Sequence, residues 1–149
     1  IATPLLVTLL ENAPDIQSIC VMVQLEVGER FAASPKSKAY GIPSVKAQYW
    51  AETKVLGKVS PNVFLPVPKV DSAILQIIRK PSPPEVNYTN FSSLIQTAFQ
   101  HRRKMIRKSL STLIPVSNFT IAEISPQSRP EELSVADWVK LANTLEMAK

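Results

Sequence analysis

Pro81-Ser82-Pro83-Pro84 is the tightest constraint that this sequence places on its own fold. Three prolines in four residues fix φ and remove backbone donors, so neither a helix nor a sheet ladder runs through them, and an extended linker is predicted. The patterns on its two sides differ. Before it, helical segments alternate with short β-branched runs; after it, the apolar residues keep a helical period. The chain therefore divides into two units, residues 1–80 and residues 81–149, the first α/β and the second a small all-helical domain. With 45% apolar and 19% charged residues among 149, there is enough apolar material for a real core.

Within the first unit, Thr3 before Pro4 reads as a hydroxyl N-cap ahead of a first-turn proline, with Leu5, Leu6, Leu9 and Leu10 on the apolar side and residues 12–14 as the stop. The run Ser18-Ile19-Cys20-Val21-Met22-Val23-Gln24 is apolar on both alternating faces, which predicts a central parallel strand covered by helices on both sides. A helix over residues 25–33 would return across that sheet. Ile42-Pro43-Ser44 starts another helix, carrying Val45, Tyr49 and Trp50. Two strand-like stretches follow, residues 53–59 and 72–79, forming an antiparallel pair around a proline-stiffened loop, residues 61–69. In the second unit, Phe91, Leu94, Ile95, Ala98, Phe99, Ile106, Leu110 and Leu113 predict one continuous helical stripe. Leu133, Trp138, Leu141, Ala142 and Leu145 predict a last helix, with Ser134 as its N-cap and Trp138 in the core. No internal repeat or low-complexity segment interrupts this order.

Several function classes are set aside by composition. Cys20, the one cysteine, sits in an apolar run and reads as a buried small hydrophobe, so no disulfide framework exists and the compartment is expected to be reducing. His101, the one histidine, has no Cys or His at ligand spacing, so no metal is expected. No stretch approaches the ~18 apolar residues of a membrane helix, and no charged segment precedes an apolar one; a soluble, cytoplasmic protein without a membrane partner is expected. Gly28, Gly41 and Gly57 make neither a G-x-G-x-x-G turn nor a phosphate loop, so no cofactor cradle is visible. The carboxylates, Glu26, Glu29 and Asp71 among them, form no persuasive acid/base pair.

Two features could carry chemistry. The net charge of +5 and pI near 9.5 suit a polyanionic partner. His101-Arg102-Arg103-Lys104-Met105-Ile106-Arg107-Lys108 concentrates five cations. On a continuous helix, Arg103, Lys104, Arg107 and Lys108 project from one ridge, which either follows a phosphate backbone or is simply a solvated basic face. Arg102 falls inside the apolar stripe, so either the helix breaks near His101 or Arg102 is paired at the seam between the two units. Phe64, held in its loop by Pro61, Pro66 and Pro68 beside Lys69, either stacks on an extruded base or plugs the sheet edge.

In order and spacing, Ile1-Ala2-Thr3-Pro4-Leu5-Leu6, Met22-Val23-Gln24-Leu25-Glu26-Val27-Gly28-Glu29-Arg30, Lys38-Ala39-Tyr40-Gly41-Ile42-Pro43-Ser44-Val45, Phe64-Leu65-Pro66-Val67-Pro68-Lys69-Val70-Asp71-Ser72-Ala73 and Phe99-Gln100-His101-Arg102-Arg103-Lys104 resemble the carboxy-terminal half of the rRNA adenine N6-dimethyltransferase (dimethyladenosine transferase) family. Tyr40-Gly41 and Lys69-Val70-Asp71-Ser72-Ala73 resemble the housekeeping small-subunit enzymes more than the erythromycin-resistance methylases. The resemblance implies the second half of an S-adenosylmethionine-dependent, Rossmann-like methyltransferase sheet followed by a helical RNA-contacting domain. It implies dimethylation of two adjacent adenines near the 3′ end of small-subunit rRNA, with the target base flipped, its amino group polarised by an Asn-Leu-Pro-Tyr-type loop, and no metal. Phe64 would stack on that adenine; Lys69, Arg102, Arg103, Lys104, Arg107 and Lys108 would contact RNA, with the ribosomal small-subunit precursor as partner. The glycine-rich donor turn and the Asn-Leu-Pro-Tyr loop do not occur in these 149 residues. The chain thus reads as beginning within a fold, and by itself is expected neither to bind S-adenosylmethionine tightly nor to methylate RNA. A sheet missing its first half would also expose apolar surface and favour self-association. The alternative is a non-catalytic RNA-binding or ribosome-assembly module.

Overall fold

A computed structural model of the chain describes residues 2–147; Ile1, which opens the family-like segment at residues 1–6, lies outside the described residues, as do Ala148 and Lys149. The elements run α1 (Ala2–Asn12), β1 (Ser18–Gln24), α2 (Leu25–Phe31), α3 (Ile42–Trp50), β2 (Ala51–Val59), β3 (Ser72–Arg79), α4 (Tyr88–Phe99), α5 (Ile106–Ser109), α6 (Ser117–Ile121) and α7 (Val135–Met147), with 3-10 turns at Pro61–Val63 and Pro130–Glu132. Ser134 caps α7 as expected: its hydroxyl accepts from Asp137 N (3.1 Å), and the Asp137 carboxylate accepts from Ser134 N (3.0 Å). Thr3 is not a cap, because α1 already includes Ala2.

The sheet has the order β1-β3-β2, and both pairings are antiparallel. β2 and β3 form the expected pair, with a bulge between Val55 and Gly57 that pushes Leu56 outward. The expected place of β1 does not hold. Among the described residues it is an edge strand, since β3 returns between it and β2. Among the described residues, helices cover one face only. Val23, Leu75 and Ile77 pack with Leu6 and Leu10 of α1, Phe31 of α2 and Ala47 of α3 in one cluster on one face. Alternate residues point the other way, so Met22 is 53% exposed, Ile78 45% exposed, and Cys20 is exposed rather than buried.

Side chains from elsewhere end α2 at Phe31, earlier than the expected residue 33. Gln48 Nε2 donates to Phe31 O (2.9 Å) and Ala33 O (2.8 Å), Thr53 Oγ1 to Phe31 O (2.8 Å), and the Ser44 hydroxyl to Arg30 O. The last carbonyls of α2 are thereby satisfied without another turn. Arg79 does the same for α1, donating to Leu10 O (3.1 Å), Ala13 O (3.0 Å) and Ile16 O (2.8 Å). A second apolar cluster gathers Phe91, Leu94, Ile95, Ala98, Ile106, Leu110, Phe119 and Trp138 with Tyr40, Val45 and Tyr49. Trp138 is fully buried there, as expected. Helix α3 thus contributes to both clusters, Val45 and Tyr49 to one and Ala47 to the other, with Trp50 packed against both.

Candidate nucleic-acid interface

The loop between β2 and β3, residues 60–71, is built from turn chemistry. Ser60 Oγ accepts from Asn62 N (3.3 Å), Phe64 N donates to Pro61 O (3.2 Å), and the Leu65-Pro66 peptide is cis. At its far end Asp71 O accepts from Leu25 N (2.9 Å), and the Asp71 carboxylate pairs with Lys58 Nζ at 2.9 Å. These bonds fix the loop at the edge where β1 and β2 end and β3 begins. A cleft of about 410 Å³ opens beside it, lined by Gln24, Glu26, Glu29, Pro61, Lys69 and Asp71. Phe64 is partly buried and does not line this cleft; Lys69 is exposed on its rim.

The basic segment differs from the expected ridge. Helix α4 ends at Phe99; His101 N donates to Ala98 O (3.1 Å) and Lys104 N to His101 O (2.9 Å), forming a turn. Helix α5 then starts anew at Ile106, whose N–H donates to Ser128 O (2.7 Å), while Arg107 N donates to Pro126 O (3.1 Å). The opening amides of α5 are satisfied by a distant loop instead of a preceding helical turn, which makes the break inexpensive. It also keeps Ile106 and Leu110 buried without dragging Arg102 inward. Consequently Arg103 and Lys104 lie on the turn, and Arg107 and Lys108 on α5. All four are exposed, and among the described residues no carboxylate is within ion-pair distance of any of them.

Arg102 is half-buried and paired. Its Nη2 donates to Lys38 O (3.1 Å) and lies 3.4 Å from Glu131 Oε2, and its guanidinium sits 5.6 Å from the Phe99 ring centroid. Both alternatives raised by its position therefore occur together: the helix breaks, and the guanidinium is paired. A hollow of about 250 Å³ beside it is lined by Arg30, Lys38, Gly41, Pro43, Phe99 and Arg102. Arg30 and Lys38 are cations that sequence reasoning did not assign to this surface. Their only signal was membership in the family-like segments at residues 22–30 and 38–45, since 64 residues of chain separate Lys38 from Arg102.

Titration behaviour points to structural hydroxyls. Tyr40 donates to Leu133 O (2.6 Å), and burial, helped by the Asp137 charge, holds its phenol well above the usual tyrosine range. Tyr88 donates to the Glu11 carboxylate and is raised in the same way, by burial first and then by that bond. The glycines do not build a nucleotide cradle. A Cβ on Gly28 would meet Ala73 Cβ at 3.2 Å, so Gly28 lets α2 approach the sheet, whereas Gly57 faces open space. Among the described residues no group of three or more His, Cys, Asp or Glu side chains is placed to hold a metal ion, and no helix is long and apolar enough to cross a membrane.

Residues 1–147 match the family described as Ribosomal RNA adenine dimethylase. The chain belongs to that family. Among curated relatives, each named Ribosomal RNA small subunit methyltransferase A, that of Bifidobacterium longum (strain DJO10A) is 40% identical over 98% of this chain and 52% of its own length. That of Streptomyces avermitilis is 38% identical over 95% of this chain and 50% of its own length. The chain spans about half the length of these curated relatives. A crystal structure of a dimethyladenosine transferase from Plasmodium falciparum superimposes with a TM-score of 0.84 at 22% identity, covering 99% of this chain and 63% of that one. The 23S rRNA methyltransferase ErmE gives 0.69 at 24% identity, covering 97% and 61%. These two likenesses show a shared α/β fold.

Proposed function

We propose that this chain is the carboxy-terminal half of an S-adenosylmethionine-dependent rRNA adenine N6,N6-dimethyltransferase of the cytoplasm. It would act on two adjacent adenines near the 3′ end of small-subunit rRNA in the ribosomal precursor. Residues 1–80 complete the methyltransferase sheet and residues 81–149 form the RNA-contacting helical domain. One apolar cluster lies within residues 1–80, and the other joins the helices of residues 81–149 to Tyr40, Val45 and Tyr49 of the first unit. The observation that carries the proposal is the family match over residues 1–147, combined with the four exposed cations of the segment after Phe99 that have no ion-pair partner among the described residues.

In this reading Arg103, Lys104, Arg107 and Lys108 neutralise phosphates, and Lys69 adds a further contact beside the loop of residues 60–71. Arg102 sets the orientation of the basic turn through Lys38 and Glu131 while presenting part of its guanidinium to the same groove as Arg30. Phe64 stacks on the extruded adenine. S-adenosylmethionine supplies the methyl group in this family. The residues here do not fit its cradle, so its site belongs to the other half, and these 149 residues alone are inactive. A non-catalytic RNA-binding or ribosome-assembly module is the competing reading, favoured by the absence of that cradle among the described residues.

The test is filter binding of a 3′-terminal small-subunit rRNA stem-loop over a salt series, with wild-type chain and R103A/K104A/R107A. Loss of three phosphate contacts should weaken binding and flatten the slope of log affinity against log salt by about 2 to 3. If affinity and slope are both unchanged, the segment is only a solvated face. Methyl incorporation by the full-length polypeptide then separates enzyme from assembly module.

A further inference from the structure

Among the described residues, the loop of residues 60–71 carries four of the exposed large apolar side chains: Val63, Leu65, Val67 and Val70. Leu65 is the extreme case, 96% exposed. An aliphatic side chain left in water on a rigid loop marks a contact surface. Pro61, Pro66 and Pro68 hold the backbone around it, so little conformational freedom remains to be lost when it is covered. Leu65 directly follows Phe64, and Lys69 is exposed in the same loop.

Resting on the methyltransferase reading above, we propose that Leu65 is a base wedge. When the adenine leaves its stack for Phe64, the Leu65 side chain enters the gap and keeps the flanking bases from closing it. A base removed from a stack leaves an apolar slot, and protruding Leu, Ile, Phe or Pro side chains are suited to fill such slots. Charge selects this occupant over a second copy of the chain. Glu26 and Glu29 line the cleft beside the loop, but within the loop Asp71 is paired with Lys58, so Lys69 is the charge that the crest presents; a two-fold contact through the crest would set Lys69 against its copy, whereas RNA brings phosphates to it. Leu65 is here a positioning residue: it acts on the stack next to the reacting base and touches no reacting atom.

The test uses the full natural polypeptide and the stem-loop RNA with 2-aminopurine in place of one of the two adjacent adenines. Unstacking raises 2-aminopurine fluorescence. At saturating protein, L65A should lose most of the rise that wild-type produces, and L65M, which keeps an aliphatic chain, should restore it. Affinity should fall roughly tenfold in L65A, because the methyl groups removed no longer leave water on binding. Because Leu65 is almost fully exposed, the variants should keep the wild-type melting curve. A wild-type rise in saturated L65A overturns the wedge while leaving the methyltransferase reading intact. Failure of wild-type itself to bind the stem-loop overturns both. If L65A instead converts a dimer to a monomer with unchanged fluorescence, the crest is a self-association surface and the wedge is wrong.

Discussion

Replacing Arg102 with alanine should destabilise the fold as well as alter RNA binding, which sets it apart from its neighbours Arg103 and Lys104. The guanidinium donates to Lys38 O at 3.1 Å and to Glu131 at 3.4 Å, with both side chains of the ion pair about one-third exposed. Screening at that exposure holds the ion pair to about 0.5 to 1 kcal/mol. The bond to the carbonyl, made by a charged donor, contributes about 1 to 1.5 kcal/mol after the same discount, and the contact over the Phe99 ring about 0.5 kcal/mol. A total cost of about 2 to 3 kcal/mol follows. In a chain of this length it lowers the Tm by roughly 4 to 10 °C. Urea denaturation with an unchanged m-value reads this directly. R102M, which retains the aliphatic stem, should recover only part of the loss, and a double-mutant cycle with E131Q should show coupling of about 0.5 kcal/mol or more. If R102A costs less than about 0.5 kcal/mol, the ordinary range of surface substitutions, Arg102 does not tie the basic turn to residues 38 and 131.

Three further outcomes follow from the same structure. In the full-length polypeptide, F64A should lower single-turnover methyl transfer about 10- to 100-fold while changing RNA affinity much less; equal losses in both would make Phe64 a packing residue. Folding holds Tyr40 and Tyr88 protonated, their phenols raised above the ordinary 10.0. Their contribution is therefore fully present below pH 10 and lost as pH rises above it toward the folded-state values, so unfolding free energy should fall between about pH 10 and 11.5. Y40F should flatten that fall while costing about 1 to 2 kcal/mol at neutral pH through the orphaned Leu133 carbonyl, and a wild-type profile flat over this interval would contradict it. Finally, R79M should strip the caps from the last turn of α1 at a cost of about 2 to 4 kcal/mol. Hydrogen exchange should show the amides of α1 losing protection first; uniform loss across the chain would indicate only global weakening.

Much of the local structure is written in the amino-acid order. The starts of α3 and α7, the pairing of β2 with β3, the proline-stiffened loop around Phe64 and the burial of Trp138 all follow from period, capping chemistry and proline placement, which act over a few residues. The five ordered segments, those around Phe64 and Arg102 among them, likewise indicated the family. Tertiary structure decided the rest. An apolar run such as Ser18–Gln24 does not say which strand lies beside it or how many of its faces are covered, because neighbours are chosen by the return of the chain. The stripe from Phe91 to Leu113 likewise looks continuous until Ser128 and Pro126 offer carbonyls to the amides of Ile106 and Arg107. Once those distant acceptors satisfy the new helix start, the break costs little. Arg102 is then free to reach Lys38 and Glu131, which brings Lys38 and Arg30, itself paired with Glu26, to one hollow that no window of sequence contains. Periodicity and turns are properties of neighbouring residues, whereas the partner of a buried amide or a half-buried guanidinium is set by segments tens of residues away.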